Sequence, residues 1–327
     1  MRRAFRTFIG VDLGGGKGKT TALARLRLGP PPEKDGGGAT DAEQVVIVED
    51  LCAQGPWYDD RLVEYLIKHA QDAVVAIDAP LTLTACVRCV LPTCPGTGAC
   101  QVPTLAWFRE RSLAAESAGD ERRGPQGKPR YTPYTQRATE VVLHEDHGIL
   151  PRETLGQGMG PLTARMAYLR HTLSSHFRLN ENLLEVYPKA TLTQLFPDPV
   201  APAPTPAADG QRGIRYKDPN GKPITLSGSG AIKAESQVAR LYKRSGHALP
   251  TRTRVLDELP GVRFGPGQWR EFAVQSDHQF DALICAYTAF LWARDGWEMP
   301  PDPDRVFAED GWIWFPPGAG ASSRKLG

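Results

Sequence analysis

The sequence predicts an α/β protein built on a mixed five-stranded sheet flanked by helices. Three observations carry that prediction. Alternating or wholly apolar runs occur at residues 7–13, 21–28, 45–49, 73–77 and 183–186; helical periodicity marks residues 59–70, 135–145, 161–175 and 277–294; and the two kinds of segment interleave along the chain. With 41% hydrophobic and 23% charged residues over 327 positions, the composition is that of a globular protein with apolar material for a large core, and we expect a single domain over residues 1–327.

The elements follow in order. TFIGVDL (residues 7–13) reads as a buried strand, and TALARLRL (21–28) puts Ala22, Ala24, Leu26 and Leu28 on one face, so the glycine-rich run between them predicts a β-hairpin. After the loop GPPPEKDGGG come a strand at 45–49, an amphipathic helix, DDRLVEYLIKHA, and a strand, AVVAI, that ends at Asp78. Residues 80–133 are rich in Cys, Pro, Gly and Arg without a long periodic pattern, which predicts an irregular insertion. Residues 197–223 are too proline-rich for regular elements and predict a mobile surface loop, followed by a basic helix at 231–244. Residues 277–294 form the strongest helical pattern of the chain, and GWIWF at 311–315 can add a closing strand.

Bulk charge decides little: 39 basic against 37 acidic residues leave a net +2, which neither demands nor excludes a polyanionic partner. No stretch approaches the roughly 20 apolar residues of a membrane span. The opening residues run into a strand without a signal-peptide core, so a cytoplasmic location is expected.

Open α/β sheets present reactive groups at the carboxyl ends of their strands, where Asp12 and Asp78 stand. If their strands are neighbours, the two carboxylates can share a Mg²⁺ or Mn²⁺ ion; each alone is equally well a turn or cap aspartate. The last long helix opens with Asp277, His278 and Asp281; Asp277 suits an N-cap, and Asp281 can deliver a third carboxylate beside Asp12. Glu185, between apolar neighbours, is the candidate fourth ligand, and Lys189 a candidate phosphate or transition-state contact. Two cations so held would drive in-line phosphodiester hydrolysis.

Cys86, Cys89, Cys94 and Cys100 are separated by two, four and five residues, a compact spacing that suits Zn²⁺ or an iron–sulfur cluster, with free thiols the remaining alternative. Cations mixed with aromatics follow, making Arg109, Arg111, Lys128 and Arg130 candidate contacts to DNA or RNA, although such runs are often solvated loops. A rival chemistry lies in GGGKGKTT (residues 14–21), similar to the deviant Walker A loop of ParA-like ATPases, with Lys19 and Thr20 reaching phosphates. Against it, a phosphate loop must open a helix, whereas TALARLRL alternates.

Five ordered segments, GVDLGGG, AIDAPLTL, YTPYTQRATEVVLHE, LEVYPKATL and DHQFDALICAYTAFLWA, together resemble the domain-of-unknown-function family numbered 429, over residues 7–315. That family is regarded as nucleases of RNase H-like fold. The resemblance implies site roles for Asp12, Asp78, Glu185 and Asp281, and Glu140 as a further acidic residue, for which a surface ion pair with Arg137 is the alternative. The expected function is therefore a metal-dependent nuclease, a hydrolase acting on nucleic acid. A nucleotide-switch ATPase and a non-catalytic nucleic-acid-binding protein of the same fold are the alternatives.

Overall fold

The structure, a computed structural model, describes residues 4–16, 20–30, 44–52, 57–117, 130–198, 216–217, 223–224 and 235–317. At its centre are β1 (Thr7–Asp12), β2 (Ala22–Leu28), β3 (Val46–Cys52), β4 (Ala73–Asp78) and β5 (Leu183–Val186). β1 pairs antiparallel with β2, and β2 with β3, while β4 lies parallel to β1 and β5 parallel to β4. Two short strands extend this core at its edges, β8 (Val262–Phe264) beside β3 and β9 (Ile313–Trp314) beside β5, to give the order β8-β3-β2-β1-β4-β5-β9. The sheet thus has seven strands rather than the expected five. GWIWF supplies β9, whereas the three residues of β8 are too short to show a period.

Alternation along the strands divides the core into two layers. Phe8, Val74, Ala76 and Leu184 face one layer with the long helix α10 (Asp277–Asp295). Ile9, Val11, Val75, Ile77 and Leu183 face the other, with Leu62 and Leu66 of α1 (Asp59–Lys68) and Met166 and Leu169 of α5 (Gly160–Thr172). Helix α10 is largely apolar on all sides because it is enclosed on all sides, every residue from Gln279 to Ala293 being buried. Ser276, rather than the expected Asp277, caps it by accepting from the Gln279 amide, and Gly296 ends it at φ 65°. The helix lies directly on β1. A Cβ on Gly10 would stand 1.9 Å from the Ala282 carbonyl oxygen, so glycine is the residue that permits the contact.

The 80–133 segment is more regular than expected. It holds α2 (Ala85–Arg88) and α3 (Pro103–Ser117), whose Phe108 packs with Tyr131, with Val141 and Val142 of α4 (Ala138–Glu145) and with Phe307 of α11 (Val306–Asp310). Helix α6 (Pro188–Leu195) follows β5 directly. The proline-rich 197–223 segment lies mostly outside the described residues, yet β6 (Tyr216–Lys217) and β7 (Pro223–Ile224) pair antiparallel at its end. The basic 231–244 helix shortens to α7 (Gln237–Leu241), with residues 231–234 outside the described set. Helices α8 (Ala248–Glu258) and α9 (Trp269–Gln275) bracket β8. Among the described residues no helix is long and apolar enough to cross a membrane.

Candidate metal centre

Parallel pairing sets Asp12 directly opposite Asp78, at the last residue of β1 and of β4. Both fall on the α10 side of the sheet, by the same alternation that places Phe8 and Ala76 there. Asp281, one turn into α10, comes down onto the pair, and one carboxylate oxygen from each of the three lies within 4.8 Å of the others. Asp12 and Asp78 open onto a cavity of about 570 Å³.

Three negative groups this close cannot all stay ionised without compensation. Burial, with the charges of Asp12 and Asp281, holds the Asp78 carboxyl well above the usual range. Asp281 is wholly buried, and burial pushes its carboxyl up to about 7 even though the Lys243 ammonium, just beyond α7, lies against its Oδ2. The Tyr242 hydroxyl is a second donor to this carboxylate, and the two partners together do not offset its burial. His278 Nδ1–H donates to Asp12 Oδ2 at 2.5 Å, and this bond raises the imidazole above its ordinary value despite partial burial. A buried carboxylate raised by burial in spite of its partners, and flanked by two more, is a donor set that fits a hard divalent cation.

Glu185 does not join the triad. In the register of β5 it pairs with Ile77, not Asp78, and so faces the opposite side of the sheet. There Arg137, itself buried, grips it through two bonds, Nη2 to Oε1 at 2.5 Å and Nη1 to Oε2 at 2.8 Å, and the Leu81 amide donates to Oε2 at 2.8 Å. Glu140 belongs to the same network, receiving Arg137 Nε at 3.0 Å and the Thr154 amide at 3.2 Å, so the expected surface ion pair exists but is buried. Burial outweighs Arg137 in raising the Glu140 carboxyl, while Glu185 and Glu140 together hold the guanidinium charged against its own burial. Lys189 stands in the first turn of α6, 3.3 Å from Glu235, and lines the same cavity as Asp12 and Asp78.

The cations expected to meet nucleic acid are engaged elsewhere. Arg109 donates to the carbonyls of Thr97 and Cys100 at 2.9 and 2.6 Å. Arg111 and Arg130 both pair with Glu145, at 2.8 and 2.9 Å, and Lys128 lies outside the described residues. Arg109 and Arg130 line a second cavity beside α3, distinct from that of the aspartates. In the first cavity the basic side chains are instead Arg137, Arg152, Lys189, Arg240, Lys243 and Arg244.

The glycine-rich run at 14–21 joins two antiparallel strands, Asp12 standing opposite Ala22, so no helix starts where a phosphate loop requires one. Its near end is tied by the Gly14 amide donating to Thr21 Oγ1 at 3.0 Å and by Arg165 bonding to the Gly14 carbonyl; Lys19 lies outside the described residues.

Two contacts at the cluster do not follow from local sequence pattern. Lys243 lies on a segment whose basic residues resemble a solvated face, and only the fold brings it to Asp281. His278 was visible as a neighbour of Asp281 at i−3, a spacing that puts both on one helical face, and that signal points at Asp12 once β1 lies beneath. Fold and site together define a mixed-sheet α/β protein in which two half-buried aspartates at the carboxyl ends of adjacent parallel strands meet a buried third from α10. No protein-family model matches the chain, and comparisons with curated proteins and with solved structures return no match.

Proposed function

We propose that the chain is a metal-dependent nuclease, a hydrolase of nucleic-acid phosphodiester bonds, of RNase H-like fold and akin to family 429. The observation that carries this reading is the convergence of Asp12, Asp78 and Asp281 within 4.8 Å, with the buried Asp281 carboxyl held above its usual range in spite of Lys243. The strand order β3-β2-β1-β4-β5, with its first two pairings antiparallel and the next two parallel, supports the RNase H-like part.

The three carboxylates would hold Mg²⁺ or Mn²⁺, which would supply an activated water and charge neutralisation at the scissile phosphate. Glu185, engaged by Arg137, leaves three carboxylates where a two-cation scheme would draw on four, so Lys243 takes the place of a further positive charge beside Asp281. Arg152 and Arg244, exposed at the cavity and without ion-pair partners among the described residues, bind the phosphate backbone. Lys189 adds a third cation from the α6 side. His278, bonded to Asp12 and 42% exposed, orients that carboxylate and carries protons between the site and solvent.

The test is cleavage of labelled single-stranded, duplex and branched DNA and of RNA with Mn²⁺, Mg²⁺ or EDTA, comparing wild type with Asp12→Asn and Lys19→Ala. Metal-dependent cutting that is lost in Asp12→Asn and kept in Lys19→Ala is expected. Cutting indifferent to Asp12, or ATP hydrolysis that depends on Lys19, would overturn the reading.

A further inference from the structure

Cys86, Cys89, Cys94 and Cys100 all line one small cavity of about 210 Å³, closed by Ala85, Leu91, Pro95, Thr97, Val102 and Leu105. None of the four is in a disulfide. The cavity is separate from that of the aspartates, and the inference drawn from it does not depend on the nuclease reading.

Two of the thiols belong to fixed wall and two to exposed loop. Cys86 sits in α2, its amide bonded to the Pro133 carbonyl at 3.3 Å, and Cys100 is buried with Ala85 and Leu105 in a core of only three residues. Cys89 and Cys94 project from a stretch, residues 89–99, in which every residue is exposed. That stretch has no regular strand or helix, yet its backbone follows a defined path. The Ala99 and Cys100 amides donate to the Gly96 carbonyl, Gly96 takes φ 84°, and the Gly96 amide approaches Cys94 Sγ at 3.4 Å. Arg109 then ties the Thr97 and Cys100 carbonyls to α3.

A segment that buries so little apolar surface cannot offset the entropy of its own ordering through packing. Four thiols around one pocket supply the missing constraint. An N–H donor aimed at a cysteine sulfur is also what a metal-bound thiolate accepts from its surroundings.

We propose that Cys86, Cys89, Cys94 and Cys100 form a structural zinc site that staples residues 86–100 against α3. No three of the sulfurs lie within 4.8 Å of one another, so binding turns the exposed Cys89 and Cys94 side chains inward toward the anchored pair. Zinc is the ion that suits four thiolates in a closed tetrahedral site, and it has no redox chemistry to be damaged where two ligands face solvent. The staple also bears on the Asp78 loop. Six residues before Cys86, that loop leaves Pro80 for α2, and Arg88 at the end of α2 pairs with buried Asp310.

The experiment is elemental analysis of the full-length protein, produced with zinc and dialysed against a mild chelator, alongside Cys89→Ser, Cys94→Ser and Asp281→Asn. One zinc per chain is expected in wild type and in Asp281→Asn, with loss of most of it in each cysteine variant. Cobalt substitution should give thiolate-to-metal charge-transfer absorption in wild type that both serine variants lose. Stripping the zinc should expose residues 89–99 to limited proteolysis. Because Cys89 and Cys94 are exposed, their variants keep the core intact, and the wild-type metal content is decisive without them. Wild type that holds no zinc after reconstitution, iron with inorganic sulfide in its place, a disulfide among the four cysteines, or zinc lost from Asp281→Asn and kept in the cysteine variants would each overturn the proposal.

Discussion

Two clusters of carboxylates border the same cavity and have opposite chemistry. On the opposite face of the sheet from α10, Glu185 and Glu140 share the guanidinium of Arg137, and both accept further hydrogen bonds from Leu81 and Thr154. Beneath α10, Asp12, Asp78 and Asp281 have one lysine, one histidine and the Tyr242 hydroxyl between them. The first cluster is internally compensated, and its charges are needed by the fold. The second is under-compensated, so Asp78 and Asp281 hold protons that a bound cation would displace. Proximity to a cavity therefore does not distinguish a structural acid from a ligand; the partners on its oxygens do.

The largest effect that separates them is on stability. Arg137→Met leaves two buried carboxylates without their cation and should lower unfolding free energy by about 3–5 kcal/mol in denaturant titration. It should leave divalent-ion binding at the triad in place. Equal stability of this variant and wild type would mean the network is not compensated as the geometry indicates. Next comes the converse substitution. Asp12→Asn should lower metal-dependent cleavage by about a hundred- to a thousand-fold while leaving stability unchanged or raised, since it removes a charge that disfavours ionised Asp78 and Asp281. A variant that loses both activity and fold would make the two clusters alike. Between the two, Glu185→Gln serves as a control that should behave like Arg137→Met in stability and unlike Asp12→Asn in metal affinity.

How much of this was legible depended on where each signal resides. Asp12 and Asp78 end two apolar runs, and a strand-end aspartate is visible in one dimension. Asp281 was legible because α10 turns from polar to apolar beside it. Glu185 was misplaced because all four residues of β5 are buried, so its sequence carries no alternation to tell the two faces apart. Only the register against β4 settles its side. Helix α3 escaped notice because its apolar residues are spread around the helix, with just Thr104, Leu105 and Phe108 buried. Lys243 and the edge strand β8 are consequences of long-range packing, which local patterns do not encode.

A smaller effect probes the support under the acidic cluster. Gly10→Ala puts a methyl into the backbone of α10 at Ala282 and Ala286, and either the helix lifts or the strand bends. Overpacking of this kind costs about 1–3 kcal/mol. Because Asp281 rides on that helix, the variant should also weaken divalent-ion binding, whereas the Arg137 network on the other face should keep its contacts. A loss of stability with unchanged metal affinity would show that the triad tolerates displacement of α10.

The smallest effect is the pH dependence of metal stabilisation, and its sign follows from the raised carboxyls. Asp281 titrates at about 7 in the folded chain against an ordinary value of 3.8, so between those values the folded state holds a proton that the unfolded state has released. Stability from this group is therefore present at low pH and is lost as pH rises through that window, and raised Asp78 acts in the same direction. A divalent cation needs the same carboxyls ionised, so its binding releases protons and tightens as pH rises. The melting-temperature gain from Mn²⁺ over EDTA should be a few degrees larger at about pH 8 than at about pH 5.5, and Asp281→Asn should flatten the difference. An equal gain at both pH values would mean that the cation binds without displacing those protons, and the contrast between the two clusters would fail at its chemical root.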